Sequence, residues 1–298
     1  MVENIARHRF TLQAAKIVAF ATLIATALTA CGSSARTDAG ASEHSYDAVL
    51  HMIPNNGHEL AFYVIPGQLP AIVLDAGGGA DASYWKTLAP ELARETGSQI
   101  ITYDRAGTGR SDEIPGPWSP RDAAADLRAG LTQLGLPHDV VLVSHSLAGE
   151  VATYIVNEYP DQVSGAVLVD ANLPEFFTDD ETAKIVAANE QQIAALRDQP
   201  STKQTRELLA QAADYGPTHL AYHQMSWPQG ILAVILVSSS TPFEAPEDAQ
   251  LWRNAQAQFT AAAPYRRLIV ADNRSHEIPI DRPDVVGKAV MDMIGRIH

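Results

Sequence analysis

The chain has 298 residues, of which 46% are hydrophobic and 19% are charged, and its formal net charge at pH 7 is −14. This length allows one large domain or two small ones, with enough apolar residues for a core. The negative charge and the lack of any basic run argue against nucleic acid or an anionic membrane surface as a partner.

The first thirty residues differ in kind from the rest of the chain. Arg7, Arg9 and Lys16 precede the uncharged run "IVAFATLIATALTA". This run is shorter than the roughly 20 apolar residues of a permanent transmembrane helix, and it is typical of the apolar region of an export signal. The sequence therefore predicts a signal peptide over residues 1–30.

The apolar run ends in "LTAC", which resembles the lipobox of bacterial lipoproteins. In those proteins the cysteine is lipidated and becomes the new N-terminus, so the resemblance implies lipidation at Cys31 and attachment to a membrane. Cys31 is the only cysteine of the chain and can form no intramolecular disulfide. An incidental cysteine after an ordinary signal peptide is the alternative. Residues 31–45 are small and polar, which predicts a flexible tether. The expected location is the outer side of the bacterial cytoplasmic membrane or elsewhere in the cell envelope.

From residue 46 onward, apolar strand-like runs alternate with helical patterns. The Asn-Gly pair in "PNNGH" predicts a β-hairpin. Ser119, with Pro120 behind it, predicts the start of a helix that ends at Gly135. Strands are predicted at 48–53, 59–65, 71–76, 99–105, 139–146, 165–171, 231–239 and 266–272. Further helices are predicted after residue 146, over 247–259 and from Pro283. This order predicts an α/β fold with a mostly parallel, doubly wound sheet.

The alternation breaks at about residue 172. Residues 174–228 contain at least two amphipathic helical patterns and no strand-like run. The strand pattern resumes at "ILAVILVSS". We therefore interpret residues 172–230 as a helical cap inserted over the sheet, before the last two strands, where it would act as a lid.

Two serines lie at the end of the apolar run in "VVLVSHSLAGEVA" (140–152). A nucleophile elbow is a sharp strand–turn–helix reversal that requires small residues two positions before and two positions after the nucleophile. It also forces the nucleophile toward positive φ, a strain of about 1–3 kcal/mol. Ser144 has Leu142 two positions before it, and a leucine would collide. Ser146 lies between Ser144 and Ala148, both small. Ser146 is therefore the candidate nucleophile, although both glycines of the usual Gly-x-Ser-x-Gly pattern are replaced.

With its strand before and its helix after, "VLVSHSLAGEVATYIVNEYPDQVSGAVLVD" resembles the nucleophile-elbow region of the α/β-hydrolase superfamily. "VLDAGGGADASYW" (73–85) and "YDRAGTGRSD" (103–112) are similar to other recurring stretches of that superfamily. The resemblance extends from about residue 46 to the C-terminus. It implies the α/β-hydrolase fold for a single domain over 46–298, with a serine nucleophile and no metal or organic cofactor.

A serine nucleophile needs a base, and ten histidines are available. Most of them lie in the signal, the tether, the first hairpin, turns or the cap. His145 adjoins Ser146 but points elsewhere in an elbow, so we expect it to pack against the sheet. His276 directly follows the last strand and precedes the last helix, where the superfamily carries its catalytic base. Elimination and resemblance both indicate His276.

The acid that orients the imidazole has two candidates. Asp170 ends the strand-like run "GAVLVDA", and Glu244 lies in "STPFEAPED" after the next one. Glu244 would serve only if its loop curled inward. Asp170 is favoured because it sits at a rigid strand end and keeps the chain order Ser…Asp…His.

The oxyanion of an acyl-transfer reaction needs two preorganised N–H donors. Leu147, directly after the nucleophile and at a helix N-terminus, is one candidate. By resemblance, Ala76-Gly77 replaces a frequent His-Gly pair, which makes Gly78 the second donor. A flexible turn is the alternative for the triple glycine. A phosphate cradle is disfavoured because no Gly-Lys-Ser/Thr follows.

Together these residues predict hydrolysis of a carboxylic ester or a related small-molecule acyl substrate through an acyl-enzyme. Peptidase, thioesterase, lactonase and carbon–carbon hydrolase activities use the same residues and stay open. An alternative of a different class is a non-catalytic exported binding protein, in which the altered elbow is a relic.

Overall fold

The computed structural model describes residues 47–272 and 274–297. The predicted signal peptide, the tether and Cys31 lie outside the described residues. The strands are β1 (Val49–Asn55), β2 (His58–Ile65), β3 (Gln68–Asp75), β4 (Ser98–Tyr103), β5 (Val140–His145), β6 (Val163–Val169), β7 (Leu232–Ser238) and β8 (Arg266–Ala271). The helices are α1 (Leu88–Thr96), α2 (Pro120–Gln133), α3 (Ala148–Glu158), α4 (Asp179–Arg197), α5 (Lys203–Ala213), α6 (Tyr215–His223), α7 (Pro246–Ala261), α8 (Ile278–Asp281) and α9 (Pro283–Ile297).

The strands form one sheet in the order β1-β2-β4-β3-β5-β6-β7-β8. The last six strands of this order, β4-β3-β5-β6-β7-β8, run parallel to one another. At the other edge, β1 pairs antiparallel with β2, and β2 pairs antiparallel with β4. The prediction of a mostly parallel sheet is confirmed. The predicted hairpin is also present, because Asn56 and Gly57 adopt φ values of +47° and +88° between β1 and β2. Such positive φ values are what a tight two-residue hairpin turn requires.

Helix α2 begins as its sequence predicts. The Oγ of Ser119 accepts a hydrogen bond of 3.2 Å from the N–H of Asp122, and Pro120 is the first helical residue. The serine thus satisfies one of the N–H groups that the first turn of a helix leaves without a partner. The helix is followed by Gly135 with φ +82°, which allows the chain to turn into β5.

The core has two apolar layers, one on each face of the sheet. On one face, α2, α3 and α7 pack their apolar sides over the strands, with fully buried residues such as Leu131, Ile155 and Phe259. On the other face, α1 and α9 do the same through residues such as Leu92 and Val290. The central strands are therefore buried on both faces, which is why their sequences are nearly continuous apolar runs.

Three helices, α4 to α6, occupy the segment between β6 and β7. They lie within the predicted cap over residues 172–230 and precede the last two strands. Helix α5 is fastened to the loop after β4, because Arg206 donates two hydrogen bonds of 2.7 Å to Glu113 and Lys203 donates one of 3.0 Å to the carbonyl of Gly109. Across the described part of the chain, no helix combines the length and apolar character needed to cross a bilayer.

Candidate active site

The candidate site lies at the carboxyl edge of the sheet. Ser146 follows β5, Asp170 follows β6 and His276 follows β8, while Gly78 lies in the loop after β3. Strands β3, β5 and β6 are consecutive neighbours in the sheet. Parallel strands all end at the same edge, so residues far apart in the chain meet there.

Ser146 occupies a sharp turn between β5 and α3. Its φ is +54°, the left-handed conformation that an elbow imposes on its nucleophile. The turn is held by the neighbouring strand, since the N–H of Ser146 donates to the carbonyl of Val169 at 3.1 Å and its carbonyl accepts from the N–H of Asn172 at 2.8 Å. Ser146 is partly accessible, whereas Ser144 is only 2% exposed. Of the two serines, only Ser146 is accessible to a substrate.

The structure brings Ser146, His276 and Asp170 together in a row. The Oγ of Ser146 lies 2.9 Å from Nε2 of His276, and Nδ1 of the same ring lies 2.8 Å from Oδ2 of Asp170. These distances are those of hydrogen bonds. Glu244, the alternative acid, is exposed and makes no hydrogen bond or ion pair with any described residue.

Asp170 is fully buried and has a positive φ of +42°. Besides His276, its carboxylate accepts hydrogen bonds from Oγ of Ser238 at 2.5 Å, from the N–H of Ser238 at 3.3 Å and from Nε1 of Trp252 at 2.8 Å. Burial alone would raise the pKa of Asp170, but these hydrogen bonds and the nearby imidazole outweigh burial and lower it. The carboxyl is therefore an anion that faces the ring of His276.

For His276 the two effects have the opposite signs. Burial alone would lower the pKa of the imidazole, but the hydrogen bond and the charge of Asp170 raise it above the ordinary value. Since Asp170 accepts at Nδ1, the neutral ring carries its hydrogen there, and Nε2 is left to accept the hydroxyl hydrogen of Ser146. This is the tautomer that a general base for Ser146 requires.

His145 holds the loop that carries His276. Burial lowers the pKa of His145 to about 3, so the ring is neutral. Its Nε2 donates to the carbonyl of His276 at 3.0 Å. The ring stacks on Tyr84 at 5.2 Å, and the hydroxyl of Tyr84 donates to Glu277 at 2.7 Å. His145 is buried as the sequence predicts, but its contact with the loop of His276 could not be inferred from local sequence.

The glycine loop after β3 is held by a buried ion pair. Arg105 donates to the carboxylate of Asp75 and to the carbonyls of Ala76 and Gly77. The second carboxylate oxygen of Asp75 accepts a hydrogen bond of 2.8 Å from the hydroxyl of Tyr103. Because both carbonyls accept from Arg105, this part of the loop is held in one position. No local sequence pattern marks Arg105 or Asp75 for this role.

The loop passes directly over the elbow. A Cβ built on Gly77 would lie 3.2 Å from Cβ of Ser146, and one on Gly78 would lie 3.6 Å from Cδ2 of Leu147. The two predicted oxyanion donors, Gly78 and Leu147, are thus brought together beside Ser146. Neither N–H donates a hydrogen bond to another described residue. Two unengaged N–H groups beside a serine hydroxyl are suited to bind a developing oxyanion.

Titratable side chains of the described residues include no group of three or more His, Cys, Asp and Glu that could hold a metal ion.

Known proteins resemble this chain over most of its length. The sequence model of the alpha/beta hydrolase family matches residues 72–289. The uncharacterized protein YqjL of Bacillus subtilis is 23% identical over 224 residues, which cover 74% of this chain and 82% of YqjL. The structure of a thermophilic esterase from Thermogutta terrifontis superimposes with a TM-score of 0.58 at 22% identity, and the match covers 84% of this chain and 99% of the esterase.

A shorter match joins the chain to RutD of Azorhizobium caulinodans, which is named a putative carbamate hydrolase. The two are 32% identical over 109 residues, which cover 37% of this chain and 40% of RutD. The match therefore spans less than half of that relative.

Proposed function

The chain belongs to the alpha/beta hydrolase family, and on that basis we propose that it is a serine hydrolase that cleaves a carboxylic ester or a related acyl compound. The proposal rests on the row of hydrogen bonds from Ser146 through His276 to Asp170. A serine hydroxyl is a poor nucleophile by itself and becomes reactive beside a base. The row supplies that base and an acid that orients it.

In the first half of the reaction, Oγ of Ser146 attacks the carbonyl carbon of the substrate and its proton passes to Nε2 of His276. The carbonyl oxygen becomes an oxyanion, which accepts hydrogen bonds from the N–H groups of Gly78 and Leu147. Asp170 stabilises the imidazolium without taking its proton. His276 then gives the proton to the leaving alcohol, and the acyl group stays on Ser146 as an ester.

In the second half, His276 takes a proton from a water molecule, and the resulting hydroxide attacks the acyl-enzyme. The same two N–H groups bind the second oxyanion. When this intermediate collapses, the proton returns from His276 to Oγ of Ser146 and the carboxylic acid leaves. Each step uses only groups of this chain, the substrate and water. The cap helices α4 to α6 lie over this edge of the sheet and would set the preference for acyl or alcohol groups.

The names of two relatives support acyl hydrolysis. One is an esterase and another a putative carbamate hydrolase, and both esters and carbamates are acyl compounds. The N–H groups of Gly78 and Leu147, which donate to no other described residue, also support hydrolysis. A non-catalytic binding protein has no need of such donors. A Ser146 nucleophile also disfavours dehalogenase or epoxide hydrolase chemistry, in which the elbow carries Asp.

A fluorophosphonate probe tests the proposal directly, since it labels a serine only when a base activates it. We expect the purified protein to be labelled and Ser146→Ala to be unlabelled. Ser144→Ala is the matched control, because it removes a serine hydroxyl two residues away and should leave labelling intact. Absence of labelling in the unaltered protein would favour the binding-protein alternative, and labelling that survives Ser146→Ala would reject Ser146 as nucleophile.

We also propose that the protein is exported and attached to a membrane of the cell envelope through lipidated Cys31. The motif "LTAC" after an uncharged apolar run and the absence of a second cysteine support this proposal. A surface-attached enzyme would meet its acyl substrates outside the cytoplasmic membrane.

A further inference from the structure

Cap helix α5 faces the core with an unusual pair of side chains. Its buried residues are Glu207 and Gln211, which are 5% and 6% exposed, whereas Leu208 and Leu209 remain partly exposed. Burying polar side chains costs free energy unless partners satisfy them, and a helix in a cap ordinarily buries its leucines. The inward placement of Glu207 and Gln211 therefore needs a reason.

Gln211 lies beside Gly78, one of the two proposed oxyanion donors. A Cβ built on Gly78 would lie 3.1 Å from Oε1 of Gln211 and 3.6 Å from Cδ2 of Leu147. Leu208 lies against the next residue of the same loop, because a Cβ on Gly79 would be 3.1 Å from its Cδ2. Helix α5 thus crosses the glycine loop, and the amide oxygen of Gln211 faces Gly78.

Glu207 fixes which atom of the amide faces that place. Nε2 of Gln211 donates to Oε1 of Glu207. An ionised carboxylate can only accept, so the amide must present Nε2 to Glu207 and Oε1 to the glycine loop. No described residue donates a hydrogen bond to Oε1 of Gln211. Burial raises the pKa of Glu207 to about 7, while the charge of Arg105 and the hydrogen bond from Gln211 act against burial. At a pH above that pKa the carboxyl of Glu207 is ionised, and the amide of Gln211 then keeps the orientation described.

Docking of the cap does not require this pair. Arg206 already holds Glu113 through two hydrogen bonds of 2.7 Å, and Lys203 holds the carbonyl of Gly109 at 3.0 Å. These contacts fasten the same helix to the loop after β4. A buried, oriented acceptor beside the oxyanion site is better explained by a substrate group that it binds.

We propose that Gln211 is a specificity-determining residue whose Oε1 accepts a hydrogen bond from an O–H or N–H group of the substrate, next to the reacting carbonyl on its acyl side. The inference rests on the proposed hydrolase function. The leaving oxygen must face Nε2 of His276, which protonates it, so the group beside Gly78 and Gln211 belongs to the acyl part. Esters of α-hydroxy acids and N-monosubstituted carbamates carry such a donor.

The test uses three small ethyl esters that differ at this position. Ethyl propionate has no donor, ethyl lactate adds an α-hydroxyl, and ethyl N-methylcarbamate replaces the CH2 of propionate by N–H. Hydrolysis is followed at pH 8, where Glu207 is largely ionised, by the ethanol that all three substrates release. The measured quantity is the ratio of kcat/KM for each donor substrate to kcat/KM for propionate, so that intrinsic differences between substrates cancel between variants.

Gln211→Met keeps the length of the side chain and removes its acceptor. We expect this change to lower the ratio for lactate, for the carbamate or for both by about tenfold. The matched control is Gln204→Met, the same substitution on the exposed side of α5, which should leave every ratio unchanged. Glu207→Gln removes the group that orients the amide and should lower the same ratio severalfold. It is also the second variant if Gln211→Met does not fold.

Ethyl lactate tests an O–H donor and ethyl N-methylcarbamate tests an N–H donor. The kcat/KM ratio that falls therefore identifies the donor that Gln211 binds. Ratios that stay constant in Gln211→Met and Glu207→Gln, with Ser146 still labelled by fluorophosphonate, would overturn the inference and leave the hydrolase proposal standing. An equal loss on all three substrates would show a structural role and also overturn it. Failure of the unaltered protein to be labelled or to hydrolyse any ester would reject the hydrolase proposal itself.

Discussion

The carboxylate of Asp170 lies 2.8 Å from Nδ1 of His276, although 106 positions separate the two residues in the chain. Asp170 follows β6 and His276 follows β8, so the carboxylate reaches across the end of β7. Ser238, the last residue of β7, donates to it there at 2.5 Å. The end of β7 thus supplies a hydrogen-bond donor to the acid, and the acid itself comes from the neighbouring strand.

Asp170→Asn tests the role of this carboxylate in the proposed reaction. The amide keeps the shape of the side chain but cannot hold the ring in the tautomer that leaves Nε2 free to accept. We expect kcat for a p-nitrophenyl ester to fall by about three to four orders of magnitude, with little change in KM. Steady-state kinetics on the folded variant provide the measurement.

The control for this experiment is Glu244→Gln, which changes the alternative acid. Glu244 is exposed, so kcat should be essentially unchanged. If Glu244→Gln lost activity and Asp170→Asn retained it, the role of acid would pass to Glu244. Thermal unfolding of both variants shows whether any loss comes from an unfolded protein.

The pH dependence of kcat/KM should report the protonation of His276. Only the neutral ring can take the proton of Ser146, so activity falls as the ring becomes charged. Because Asp170 raises the pKa of His276 above its ordinary 6.5, we expect the acid limb of the profile to have its midpoint above pH 6.5. Asp170→Asn leaves burial as the dominant effect, and burial lowers this pKa. The acid limb of the residual activity should therefore move to lower pH. An acid limb that does not move would identify another titrating group.

Much of the fold could be predicted because the central strands are buried on both faces. Their runs of Val, Ile and Leu between turn residues leave little ambiguity, and the mostly parallel α/β sheet predicted from them is confirmed. The α/β-hydrolase fold, which the resemblance of the motifs implied, is confirmed as well. Helix α1 was not predicted. Its nine residues include Pro90, and only four of them are buried, so its apolar pattern is too short to stand out.

The site was predictable to the extent that it depends on local geometry. The need for small neighbours separates Ser146 from Ser144. His276 is indicated by elimination of the other histidines and by the place where the superfamily carries its base, so this candidate depends on the resemblance as well. The residues that hold these groups come from distant parts of the chain, and no local pattern marks them. Trp252 donates to Asp170 from α7, and Arg105 holds a loop 28 residues earlier. Such partners become visible only when the strands are assembled.

Arg105→Met should destabilise the protein and disorder the oxyanion loop together. It leaves the buried carboxylate of Asp75 without its cation and frees the carbonyls of Ala76 and Gly77. We expect the free energy of unfolding in urea to fall by about 3–5 kcal/mol, because an unpaired charge is left in the core. The double variant Asp75→Leu with Arg105→Met should recover much of this loss but not kcat, since the loop still lacks its donor. A single variant with unchanged stability and kcat would refute the role of this ion pair.

Gly149→Ala should destabilise the elbow. A Cβ on Gly149 would lie 2.3 Å from the carbonyl oxygen of Asn172 and 2.8 Å from Cβ of Ala171, so the chain after β6 must move away. We expect a loss of about 1–3 kcal/mol in the free energy of unfolding. Gly287→Ala is the matched control, because it makes the same change within helix α9, where the nearest atom would be 3.6 Å away. There the change should stabilise by about 0.5–1 kcal/mol. Equal effects at both sites would contradict the close packing at Gly149.

Cys31→Ser tests the proposed attachment to the membrane. Each buried CH2 of an attached acyl chain contributes about 0.8 kcal/mol of membrane affinity, so a lipidated chain should enter the detergent-rich phase of a Triton X-114 extract. We expect the protein from bacterial cells to partition there and to incorporate an alkynyl fatty acid. Cys31→Ser should lose the label and move to the aqueous phase, whereas Ser33→Ala, two residues away, should behave as the unaltered protein. A Cys31→Ser variant that stays in the detergent phase would show that something other than this cysteine anchors the chain.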